Sequence, residues 1–447
     1  MHPIFRKITG MTKNDNLMGI VAVIILKGGA AISTFLMFSL MSNTRTAEEF
    51  GSFAIAWSAA SMMMVLAAFG QEMMVIKAWN EHSAAKSPGK VKGGILIGFF
   101  TCLIGGAIGG SALGIFYWLT ESAFLGVVVG LFVLTLTMLA FSAHLGRAVL
   151  GVIISDGTRD ILKYIPTILL LAASLVFLSG FSNAEVFLIF IITTTLGSIG
   201  LLTLVYLKLK REFREVLEAK AEVDVKEWRS TSVSLWGASL LESSNQYMDV
   251  VLLGFLLNPA AVAVYFVATR LANVFLTAAA AIYSFGSKRI PDHFYHKHHD
   301  KLTATLKTIA GMVSLIVVAG LLCVVVLGHW ALGIFGAEYV DYYDVLIILC
   351  IGTASITAAG AAPVILMMTG YEKNYLKSLS ISVAVRLSGF VLLVPMFGIY
   401  GAALAATFSQ VLMALMLAKN AKRLTGLDGT VLQVFAALPI ARKRSAS

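Results

Sequence analysis

The sequence predicts an all-α polytopic membrane protein, with twelve transmembrane helices in two six-helix lobes around a central cavity and both termini in the cytoplasm. Three features predict it: an apolar composition, a regular succession of apolar runs, and a one-sided distribution of Lys and Arg. Of 447 residues, 58% are hydrophobic and 13% charged, against roughly 45–50% and about 25% in soluble domains. A soluble chain of this composition could not cover its surface with polar groups, and disorder requires low hydrophobicity. The net charge of +10 would suggest nucleic acid in a soluble protein. Here the charges cluster between apolar runs, so no nucleic-acid partner is expected.

A hydrocarbon core about 30 Å thick takes ~20 apolar residues per helix. Runs of that kind fall at 17–41, 51–76, 93–118, 123–147, 161–179, 184–207, 231–257, 261–286, 308–328, 343–369, 376–397 and 400–419. The first is too long and too weakly flanked by small residues for a cleaved signal peptide, so it is expected to stay. The seventh holds two acids and is the weakest by hydropathy.

Alternate segments between these runs, counted from the N-terminus, hold thirty of the thirty-four Lys and Arg residues. The opposite segments hold only Arg45, beside Glu48, Glu49, Glu121, Glu185, Glu338, Asp341 and Asp344. Lys and Arg resist translocation, which sets the orientation, and a missed helix would scramble the alternation.

The longest internal polar stretch, 208–229, divides the runs six and six. It predicts an N-terminal lobe 1–207, a cytoplasmic connector 208–230, a C-terminal lobe 231–419 and a cytoplasmic tail 420–447. Lys/Arg and Glu alternate in the connector at helical spacing, as on a solvated helix. A weak repeat relates the halves: Glu49-Phe50-Gly51-Ser52-Phe53-Ala54 and Ala261-Val262-Ala263-Val264-Tyr265-Phe266 open the second and eighth runs at an offset of 212 residues. Parallel repeats of this kind are a transporter architecture with the substrate site between halves.

Apart from residues at the ends of the runs, which count with the loops, six Asp, Glu, Lys or Arg side chains fall inside them: Lys27, Arg270, Arg386, Glu72, Glu242 and Asp249. Charge at that depth costs a few kcal/mol and ordinarily faces a protein interior or an aqueous cavity. Glu72 is close enough to the end of its run to reach the headgroups. Glu242 and Asp249 are seven residues apart, nearly two turns, and so are expected on one helix face. Structural ion pairing and a polar lumen both fit the set. Deep cations suit an anionic cargo such as a diphosphate, which needs charge-assisted hydrogen bonds once dehydrated.

The remaining signals are weaker. Gly105, Gly106, Gly109, Gly110 and Gly114 permit close helix approach in the third run, and Pro166 and Pro363 are expected to kink theirs. Cys102, Cys323 and Cys350 are scattered in apolar runs and build neither a disulfide framework nor a metal site. His293, His296, His298 and His299 crowd one loop without a Cys or carboxylate to complete a zinc site, so no metal and no cofactor are expected. The absence of a phosphate-binding loop, a long outer loop or a clustered acid–base set argues against an ATPase or an enzyme.

Glu48-Glu49-Phe50-Gly51-Ser52-Phe53-Ala54 resembles the short acidic-aromatic-glycine turn after the first span of the polysaccharide (O-antigen and exopolysaccharide) flippases. Asp249-Val250-Val251-Leu252-Leu253-Gly254, Val262-Ala263-Val264-Tyr265 and Ala268-Thr269-Arg270-Leu271 look like that family's second-half signature, with Ala263 where glycine is the pattern. Pro363 to Lys373 resembles its tenth-span exit. This family lies within the multidrug/oligosaccharidyl-lipid/polysaccharide exporter superfamily. The resemblance implies a multi-pass protein of the bacterial cytoplasmic (inner) membrane. It would carry a lipid-linked anionic glycan among membrane lipids, alongside other polysaccharide-assembly proteins, with a proton or sodium ion as coupling ion. In that reading Lys27, Arg270 and Arg386 receive the substrate, while Glu242 and Asp249 bind the coupling ion or balance charge. The rival is a cation-coupled multidrug exporter of the same superfamily.

Overall fold

The computed structural model describes residues 29, 32–176, 182–296 and 298–434. Lys27 lies outside the described residues. Every regular element among them is helical, and the chain divides into two compact units, Met1–Gly254 and Phe255–Ser447.

The first unit begins with α1 (Ile32–Asn43), α2 (Ala47–Ala68) and α3 (Gln71–Ala84). Next come α4 (Pro88–Thr120), α5 (Ala123–Val149), α6 (Val152–Val176) and α7 (Asn183–Glu212). Side chains start these helices. Thr46 and Glu49 form a capping box on α2, Ser182 and Glu185 form another on α7, and Ser122 caps α5, each satisfying amides that the first turn leaves without partners. Arg45, the lone cation among the acidic segments, hydrogen-bonds Asn183. Burial lowers its pKa, while the nearby Glu49 and Glu185 carboxylates raise it.

Glycines draw α4 against two neighbours at once. A Cβ on Gly105 would lie 2.1 Å from the Ala67 carbonyl of α2, and one on Gly110 would lie 2.3 Å from the Gly130 carbonyl of α5. The glycine run is thus two packing seams, while Ile104, Ile108 and Ile115 of the same helix stay exposed as a lipid-facing surface does. Inside the unit, the Trp57 ring packs tilted against Phe132 and Phe190, with centroids 5.4 and 4.7 Å away, and Phe53 against Phe187 at 5.1 Å, each pair adding about 0.5–1.5 kcal/mol beyond area burial.

One expectation is corrected here. Arg147, Arg159 and Lys163, three of the thirty cations counted between the runs, do not occupy a loop, because only Leu150 and Gly151 separate α5 from α6. Asp156 is 1% exposed and holds Arg147 at 2.6 Å and Arg159 at 4.0 Å. A carboxylate shared by two cations locks the helical hairpin. Pro166 sits within the continuous α6.

After α7 come α8 (Arg214–Glu218), α9 (Val225–Ser243), a π-helical turn (Ser244–Met248) and α10 (Asp249–Leu256). The connector keeps Arg211, Arg214 and Glu218 exposed, as on a solvated helix, and is tethered through its backbone: Lys92 of α4 donates to the carbonyls of Leu217 and Ala219 at 2.7 and 3.0 Å, and Glu222 donates its amide to the Gly89 carbonyl at 3.0 Å.

The second unit comprises α11 (Pro259–Ala272), α12 (Val274–Tyr295), α13 (His299–Gly333), α14 (Ala337–Val340), α15 (Tyr343–Ala358), α16 (Ala362–Met368) and α17 (Glu372–Thr425). Asn258 caps α11, and it stands 212 residues after Thr46, the cap of α2. The break before Pro363 bends α15 against α16 by 46°. α17 folds back at Gly398 (φ 56°), so the expected runs 376–397 and 400–419 are its two limbs, tied by Asn420 donating to Ser378. The chain then returns: the Ala361 amide, freed at the bend, donates to the Gly429 carbonyl at 2.7 Å.

By length and hydropathy, α2, α4, α5, α7, α13 and α17 can each cross a membrane, as can the bent pair α15–α16.

Candidate functional site

The second apolar run breaks in its interior. Phe69 (φ 49°, ψ 36°) ends α2 and Gly70 (φ 73°, ψ 8°) precedes α3, both left-handed. Glycine adopts this conformation freely, whereas a side chain there costs about 1–2 kcal/mol. Phe69 packs its ring 4.6 Å from that of Trp236 on α9. A Cβ on Gly70 would lie 2.7 Å from the Ser232 carbonyl and 2.8 Å from the Trp236 amide. Only glycine lets α9 cross so close to the break.

Polar side chains then fill the crossing. Gln71, 2% exposed, donates through Nε2 to Ser232 Oγ at 2.9 Å and accepts at Oε1 from Trp228 Nε1 at 3.1 Å. Both ends of its amide are therefore tied to α9. Glu72 follows in the first turn of α3, where the helix dipole favours negative charge. It is 7% exposed and its carboxyl accepts from its own backbone amide and from Ser239 of α9. Among the described residues, Glu72 Oε2 is buried without a hydrogen-bond partner.

Further along, the seventh run passes through the π turn Ser244–Met248, packed against α2. The turn lies between Glu242 and Asp249. A π turn inserts one residue into the helical register, which rotates the succeeding side chains by about 100° around the axis. Glu242 is exposed whereas Asp249 is 8% exposed, so the two do not share a face as their spacing suggests.

In the second unit, Arg270 lies in the last turn of α11, where the helix end favours a cation, with its guanidinium 4.6 Å from the centre of the Phe266 ring. Arg386, 4% exposed, donates from Nε to Ser409 Oγ at 2.9 Å across the two limbs of α17. Tyr265 of α11 meets Phe390 of α17 edge-on at 6.3 Å, and each arginine lies within about a turn of that contact on its own helix. At the α12–α13 junction Asp292 supplies the histidine cluster with a carboxylate, 3.5 Å from His293 Nδ1 and 3.3 Å from His296 Nδ1.

Of the five expected site residues, the structure places Glu242 and Asp249 on the seventh run, and Arg270 and Arg386 near one aromatic contact in the second unit. Spacing alone does not reveal Gln71, Ser232 and Trp228, or the burial of Glu72. Their signal is Phe69-Gly70-Gln71-Glu72, a glycine and two polar residues closing an apolar run.

No family model matches the chain, and no curated protein matches it. Solved structures do. An inward-facing multidrug resistance MATE family transporter of the MOP superfamily superimposes with a TM-score of 0.71 at 12% identity, over 90% of this chain and 98% of that one. The fold is that of the MOP-superfamily transporters. The lipid II flippase MurJ in an inward closed conformation gives 0.63 at 13% identity, over 89% and 87%. A MOP-superfamily transporter from Pyrococcus furiosus, described by the reverse polarity of its binding pocket, gives 0.59 at 11% identity, over 91% and 95%. With its apolar helices, the chain is a multi-pass membrane protein of this fold.

Proposed function

We propose that the protein is a flippase that moves a lipid-linked oligosaccharide, carried on an isoprenoid diphosphate, across the bacterial cytoplasmic membrane by alternating access, for surface or exopolysaccharide synthesis. The observation that carries this reading is the sign of the charges set among the apolar helices of the second unit: Arg270 at the end of α11 and Arg386 inside α17 are both cations. Guanidinium groups match phosphate oxygens in planar, multidentate geometry. In this reading Lys27, Arg270 and Arg386 receive the diphosphate or acidic sugars, and Glu242 and Asp249 balance them or bind a coupling ion.

The rival reading, a cation-coupled multidrug exporter, draws on the acids of the first unit, Glu72, Glu242 and Asp249, and on the likeness to a multidrug transporter. Reconstitution separates the two. Vesicles containing the protein are expected to exchange a lipid-linked diphosphate oligosaccharide between leaflets and to leave cationic dyes in place. Dye efflux without exchange of the lipid-linked sugar overturns the proposal.

A further inference from the structure

We infer that Glu72 is a proton-binding site: its carboxyl carries a proton while α9 is packed over the break between α2 and α3, and releases that proton to water when the packing opens. The inference deepens the transport reading by naming a coupling ion and its site, and its transport arm rests on that reading.

Four observations meet at this residue. First, Glu72 is 7% exposed, and a buried carboxylate short of partners is costly enough that such groups take up a proton instead. Second, among the described residues its Oε2 is buried and makes no hydrogen bond. An oxygen in that position has room for a proton. A metal cation such as Ca²⁺ or Mg²⁺ takes about six or more oxygens, whereas a proton takes one. Third, the carboxyl lies immediately beyond a helix end. The last turn of α2 leaves carbonyl groups without intrahelical partners, and these are acceptors for a carboxylic O–H. One of them, Ala68, is already met by Cys102 Sγ at 3.8 Å. Fourth, the groups that hold α9 over the break are neutral: Gln71–Ser232, Gln71–Trp228 and Phe69–Trp236.

Among the described residues no side chain supplies a counter-charge; the ionised form has only the start of α3, its own amide and Ser239 to favour it. From α4 the titratable group toward Glu72 is the thiol of Cys102. α9 brings Ser239, while its Arg229 and Glu242 are exposed. α5 contributes Phe141 and Leu145 to the apolar cluster that continues along α3 through Val75 and Trp79. On α3 itself Lys77 is exposed and pairs with Glu81 at 3.9 Å. The proton therefore decides whether the crossing is electrically neutral. Ionisation leaves a buried charge beneath α9 and favours separation of the helices, which couples proton release to movement of the seventh run.

Two measurements on the purified full-length protein test this. Infrared difference spectroscopy between acidic and alkaline buffer is expected to show a carboxylic C=O band that disappears in Glu72→Gln and shifts in frequency in Glu72→Asp. This arm reads the site whatever the cargo. In vesicles with an imposed pH gradient, the parent is expected to exchange lipid-linked diphosphate oligosaccharide roughly tenfold faster than without the gradient, a typical coupling. Glu72→Gln is expected to show the same rate with and without it, and Glu72→Asp to retain part of the acceleration. A parent spectrum with no band lost in Glu72→Gln overturns the inference. So does full gradient acceleration in that variant, or acceleration by a sodium gradient in place of a proton gradient. If the band behaves as stated but the parent moves no lipid-linked sugar, the proton site stands and the cargo assignment fails.

Discussion

The second apolar run, α2–α3, and the eighth, α11–α12, start alike and end differently. Each opens behind a polar cap, Thr46 in one and Asn258 in the other, and each then buries an aromatic face: Phe50 and Phe53, or Tyr265 and Phe266. The first runs 22 residues before it breaks in a left-handed pair, and the second runs 14 before it breaks at Asn273 in right-handed backbone. The ionisable groups at the breaks are of opposite kind, an acid and a base. Glu72 stands where a half-helix begins, and Arg270 where one ends, so each is placed on the dipole end that favours it. The two segments thus share the way they begin, while the break is where they differ in chemistry. A transporter that must hold an anionic cargo and a cation has reason to make its halves unlike at such points.

Substitutions at the two breaks test that contrast, and the largest effect is expected at the left-handed one. Gly70→Val places a branched side chain into the Ser232 carbonyl and the Trp236 amide and imposes a disfavoured φ, a loss of about 3 kcal/mol or more. Thermal melting in detergent is expected to show a collapse of stability or yield, and a melting temperature equal to the parent's would contradict the crossing geometry. Next comes exchange of sign at the second break. Arg270→Glu sets an acid on a helix C-terminus and removes the cation over Phe266, and lipid-linked sugar exchange is expected to cease while Arg270→Lys retains part of it. Retention of activity in Arg270→Glu would show that transport does not need the charge. Gln71→Leu unties both amide bonds to α9 and leaves the Trp228 and Ser232 donors without that partner, at about 1–3 kcal/mol. Its check is melting together with a changed tryptophan emission. The smallest effects belong to the shared entry. Thr46→Ala and Asn258→Ala are each expected to cost ~1 kcal/mol and to lower the melting temperature comparably, whereas a large difference between them would deny the equivalence of the two caps.

Much of this architecture is legible in the residues because bilayer physics acts on long stretches. Runs of some twenty apolar residues, and the gap between 376–397 and 400–419 at which α17 folds back, follow from composition and spacing. Local register does not. The π turn at Ser244–Met248 leaves no mark in a hydropathy pattern, yet it turns Glu242 and Asp249 onto different faces. Arg147 and Arg159 read as loop cations because a charge beside a run's end is ordinarily solvated, but Asp156 allows the helices to continue through them. Glu72 reads as a headgroup-seeking acid for the same reason, and only the crossing of α9 above Gly70 buries it. There a partner distant in sequence sets the environment: Ser232 is 161 residues from Gln71.

If this fold carries an anionic lipid-linked sugar past cations set in its second unit, the linkage to the lipid must decide what is carried. The direct test is leaflet exchange, in vesicles containing the purified protein, of two isoprenoid-linked sugars that share a glycan and differ in having a diphosphate or a neutral linkage. Rapid exchange of the diphosphate form is expected, with near-background exchange of the neutral form and loss of the difference in Arg270→Ala. Equal exchange of both forms by the parent, or a diphosphate preference that survives in Arg270→Ala, would contradict an anionic cargo held by these cations.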